Sequence, residues 1–118
     1  MAGNKRPLSV LLIGWVYIAV GAVGFVAHAN GIRASGGLRF DDVAVELTEL
    51  TAAVSGAFIL QGRNWARWLA LAWIAFHVLL SASQFRAFAV HCVFLVLIAW
   101  AVFQPAASMY FRRGNRAA

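Results

Sequence analysis

Glu46, Glu49, His77 and His91, with His28 beside them, are the side chains whose types and surroundings best suit chemistry. Each lies within or at the edge of a long apolar stretch, where an ionisable group is expensive and marks a functional-site candidate by default. With the stretches threaded antiparallel, a rise of 1.5 Å per residue puts Glu49 about 10 Å, His77 about 9 Å, and Glu46 and His91 about 6 Å from one common boundary. His28 falls at the outer end of the first stretch. Apart from Arg67, at the opposite boundary, every ionisable group in or bordering the stretches is thus expected in one outer third. Glu49 shares a helical stripe with Ala52, Ala53 and Gly56, so it is expected to point inward, and a carboxyl carried there needs a partner. A histidine can share its proton, which makes Glu49–His77 the expected contact.

Three uses of such a cluster stay open. Carboxylate–imidazole hydrogen bonds can tie helices together, at about 1 kcal/mol each in lipid. Two histidines and a carboxylate (Glu49, His77, His91) suit zinc, copper or iron, although neither Glu-x-x-His nor His-x-x-x-His occurs. Haem is disfavoured, because adjacent helices about 8–10 Å apart leave little room for a macrocycle. Histidine also titrates near neutrality, which suits a proton- or ligand-linked site; four short helices enclose little volume, so transport would need an oligomer. No cofactor is specified. Cys92 reads as a small apolar packer, and as the single cysteine it excludes an internal disulfide. No Ser-His-Asp set, phosphate loop or Gly-rich nucleotide motif supports an enzyme.

The elements that must position these residues are legible in the composition. The chain has 118 residues, enough for one domain. Hydrophobic residues reach 63% and charged residues only 12%, far from the roughly 45–50% and 25% of soluble domains. The mean hydropathy of +0.77 agrees. A soluble globular protein and a disordered chain are both excluded. About 20 apolar residues cross a bilayer, and four stretches approach that: 8–27, 42–61, 64–83 and 87–104. The expected fold is all-α, a single 1–118 domain of four antiparallel transmembrane helices with a 28–41 periplasmic loop and short basic cytoplasmic tails. The second span is the weakest: its clean run, Leu50 to Leu60, is half the needed length, so it must take in Glu46 and Glu49. The first is longer than the ~7–15-residue core of a signal peptide and is read as a retained helix, despite the small-x-small sequence at Ala27-His28-Ala29.

The basic residues set the orientation. Lys5, Arg6, Arg63, Arg67, Arg112, Arg113 and Arg116 fall on one side, against Arg33, Arg39 and Arg86 with all four acids on the other. This predicts a multi-pass membrane protein with both termini cytoplasmic. The same placement assigns the net charge of +6 to topology rather than to nucleic acid. Trp65, Trp68, Trp100 and Tyr110, with Arg63 and Arg67, are expected interface anchors. Asp41 or Asp42 is expected to cap the second helix, with Phe40 and Val45 as a hydrophobic staple. Gly14, Gly21 and Gly24 should bring the first helix close to the second.

Gly62-Arg63-Asn64-Trp65-Ala66-Arg67-Trp68, running on to Trp73, His77 and Ser81, and Pro105-Ala106-Ala107-Ser108-Met109-Tyr110-Phe111-Arg112 together resemble small, uncharacterised four-span bacterial membrane proteins. The resemblance covers most of the chain and implies a bacterial inner-membrane location and four helices. It implies no activity. The expected role is a non-enzymatic interaction or accessory subunit, with the bilayer and a protein partner or second copy as its contacts. The alternative is a small-ligand, metal or proton-coupled site.

Overall fold

The structure, a computed structural model, describes residues 6–117. Of the basic set, Lys5 and the Arg116 side chain lie outside what is described. Every element among the described residues is helical: α1 (Leu8–Ser35), α2 (Phe40–Leu60), α3 (Asn64–Leu80), α4 (Phe85–Phe103) and α5 (Pro105–Ala117). Three of these, α1, α2 and α4, are long and apolar enough to cross a membrane. The expectation of four such spans is corrected at α3. Its 17 residues extend about 26 Å, short of a hydrocarbon core of about 30 Å. It ends at Leu80, and Ser81 beyond it donates its hydroxyl to His77 O at 2.9 Å.

Two further boundaries differ from expectation. The 28–41 loop shrinks to residues 36–39, because α1 runs on to Ser35 and ends at Gly36 with φ 83. That left-handed conformation suits glycine and terminates helices. The tail is instead α5. Pro105 opens it, at a position where the missing N–H is harmless, after a single extended residue, Gln104.

Capping of α2 follows half of the expected scheme. Asp42 accepts a hydrogen bond from the Arg39 backbone N–H at 3.0 Å. The staple does not form, because Phe40 is already the first helical residue and stands 86% exposed.

The closest pair is α1 with α2. A Cβ on Gly21 would strike the backbone of Glu49 and Ala53, and one on Gly56 would strike Gly14 O and Ile18. The lack of a side chain at these positions is what lets the two helices touch.

The core is not central. Within α1 the buried residues end at Gly21, and within α2 they begin at Ala52. In α3 they are Ala66, Ala70 and Ile74; in α4 they begin at Ile98. The bundle is therefore closed at one end and loose at the other. The closed end is knotted by polar bonds. Arg6 Nε donates to Leu60 O at 2.7 Å, and Tyr110 Oη donates to the same carbonyl. These donors satisfy one of the carbonyls that the end of α2 leaves free. Arg67 Nη1 donates to Val102 O at 3.2 Å and Ser108 Oγ at 3.3 Å. Its guanidinium lies 4.3 Å from the Phe103 ring centroid and 5.1 Å from that of Phe111.

Candidate functional site

The loose end carries the Glu/His set. Glu46 and Glu49 sit one turn apart on α2, His28 on α1, His77 near the end of α3 and His91 near the start of α4. Four helices thus contribute, as their common depth in the sequence implies.

Glu49 turns toward α1. Its carboxyl lies over Gly24, where a Cβ would come within 2.6 Å of Cδ. Glu49 Oε2 and Glu46 Oε1 are both buried without a hydrogen-bond partner. His28 Nε2 stands 3.4 Å from Asp42 Oδ1, an ion pair when the ring is protonated, yet it too is buried outside hydrogen-bond geometry. The groups near enough to act electrostatically on Glu49 are His77, Glu46 and His28.

The expected Glu49–His77 hydrogen bond is not made. His77 directs Nδ1 to Trp73 O at 2.9 Å, and His91 directs Nδ1 to Ala87 O at 2.7 Å. Each imidazole is therefore tied to the carbonyl one turn back in its own helix. A carbonyl only accepts, so Nδ1 carries the proton in both rings, and Nε2 of a neutral ring is an acceptor. The rings of His77 and His91 lie 6.1 Å apart between centroids, with Trp73 stacked on His77 at 4.0 Å. Among the described residues, no three His, Cys, Asp or Glu side chains form a group able to hold a metal ion. Glu49, His77 and His91 share a level without converging.

The proposed anchors divide. Trp65, Trp68 and Trp100 face outward, 48%, 58% and 64% exposed. Tyr110 and Arg67 turn inward and join α5 to the bundle, as described above. Arg63 is half-buried at the α2–α3 turn and donates its backbone N–H to Phe58 O.

A second feature escaped the sequence. Ile13, Val16, Tyr17 and Val20 of α1 face Phe94, Leu97 and Ile98 of α4 across a crevice of about 410 Å³, with Trp73 and Ile74 of α3 behind and His91 at the side. Its signal was the ring-bearing positions Tyr17, Trp73, His91 and Phe94, which belong to three helices and share no linear motif.

No protein-family model, curated protein or solved structure matches the chain. The class of the site rests on its own geometry.

Proposed function

We propose that the protein is a four-helix integral membrane protein of the bacterial inner membrane, with both termini cytoplasmic, that acts as a non-enzymatic interaction subunit. In this reading α3 crosses as the short member of the bundle. The basic residues of the closed end support the orientation, and the resemblance to small four-span bacterial membrane proteins supports the location.

One observation carries the interaction role. The end that holds the acids is loose, and there Glu46 and Glu49 each keep a buried carboxyl oxygen with no donor. Leaving such a group unmade costs about 1–3 kcal/mol, so a partner that brings a donor is favoured. The rim supports the same reading: Leu79, Phe85 and Phe40 are 74–86% exposed there. Polar bonding between the helices themselves is a weaker account, because neither Glu46 nor Glu49 pairs with an imidazole.

A second reading is a proton-coupled site, favoured by His77, Glu46 and His28 standing within electrostatic reach of Glu49. Photo-crosslinkers at Phe85 and at Trp68, in cells, test the first. A discrete adduct from Phe85, absent from Trp68, retained in Glu49→Gln and lost in Glu49→Leu, is the expected result. Equal adducts from both positions, or none, would sink it. Loss of the adduct in Glu49→Gln, with folding intact, would favour the proton-coupled reading.

A further inference from the structure

The crevice between α1 and α4 opens sideways. Its rim residues Val16, Val20, Phe94 and Leu97 are 45–53% exposed, whereas Ile74 at the back is 3% exposed. A volume of about 410 Å³ falls in the ordinary range for small-molecule sites. Its polar chemistry is one-sided. Tyr17 Oη donates to Ala70 O at 2.7 Å, Trp73 Nε1 donates to Thr48 O at 2.9 Å, and His91 Nδ1 donates to Ala87 O. Every side-chain donor in the wall is engaged. What remains is an acceptor, the Nε2 lone pair of the neutral His91 ring. A complementary ligand must therefore be apolar and supply a donor.

The wall also selects shape. Tyr17 and Trp73 sit at 5.3 Å between ring centroids, tilted by 59°, and Phe94 and His91 add two further rings. Such surfaces favour a flat aromatic body. We infer that the crevice binds a membrane-dissolved aromatic molecule carrying a phenol-type hydroxyl, which donates its hydrogen bond to His91. The inference rests on the membrane placement of α1 and α4, and of the Glu/His set it uses His91 alone.

The test uses the full chain in phosphatidylcholine nanodiscs, with decyl-hydroquinone as probe and its dimethyl ether as a matched ligand that cannot donate. Binding should saturate at one hydroquinone per chain, with the ether weaker by about two- to tenfold, the worth of one hydrogen bond. His91→Phe keeps a ring and removes the acceptor, so it should erase the difference between the two ligands. Ile98→Trp should fill the crevice and abolish binding of both. Equal affinity for the two ligands in the unmodified chain, a preference that survives His91→Phe, or uptake that never saturates would overturn the proposal and leave acyl chains as the occupant. Protection of the crevice by a second copy, seen as cross-links between Val16 and Leu97 of two chains, would overturn it as well. A chain extracted without detergent would instead refute the membrane placement.

Discussion

The glycines of α1 differ sharply in what surrounds them. A Cβ on Gly21 meets the α2 backbone, whereas Gly31 has nothing within 4 Å. Gly21→Val should therefore lower stability by about 1–3 kcal/mol, the usual cost of overfilling a close contact, read as a lower thermal midpoint in detergent. Gly31→Ala should match or exceed the parent, since glycine is the poorer helix former. The small-residue stripe was legible in the sequence because positions three, four and seven apart share a helix face. So was the inward aim of Glu49, which shares that face. The missing Glu49–His77 bond was not legible. A histidine in a helix has a nearby competitor in the carbonyl four residues back, and both His77 and His91 take it. Spacing gives depth and face, but it does not show which of two acceptors a ring will choose.

Among the elements, α5 is the one that a search for membrane spans overlooks. It is too polar and, at 13 residues, too short to span. Its signal is the spacing of Ala107, Phe111 and Gly114, four and three apart, which puts one face against the bundle. Ala107 and Phe111 are fully buried, and Gly114 abuts the Gly62 backbone. Phe111→Asp should detach α5, seen as faster amide hydrogen exchange over residues 105–114 with the α1–α2 pair unchanged. Arg67→Leu should act in the same direction, because it removes both the bond to Ser108 and the stack on Phe111. Protection that stays at the parental level in both variants would refute the docking. The longer α1 was hidden for a different reason. Its last turns, Ala29 to Ser35, are polar enough to leave lipid and carry Asn30-Gly31, a turn-type pair, yet the helix runs through it to Ser35. At 28 residues the helix extends about 42 Å, about two turns more than a hydrocarbon core of about 30 Å requires.

For the whole molecule, one end is closed and basic and the other loose and acidic. Reporters fused after residue 117 should read cytoplasmic, and one inserted between Gly36 and Gly37 should read periplasmic; the same side for both would overturn the topology. The insertion itself should be tolerated, since neither glycine has a neighbour within 4 Å of an added Cβ. The closed end also has a temporal consequence. Arg6, Leu60 and Tyr110 meet at one carbonyl, yet 104 residues of chain separate the first from the last. A ribosome makes α1 and α2 long before it reaches α5. While the nascent chain waits, the turn at Gly62 has neither Tyr110 nor Gly114 against it, and Arg6 must hold Leu60 alone. Chains stalled before Pro105 should be cut by protease at that turn, and chains released after α5 should resist.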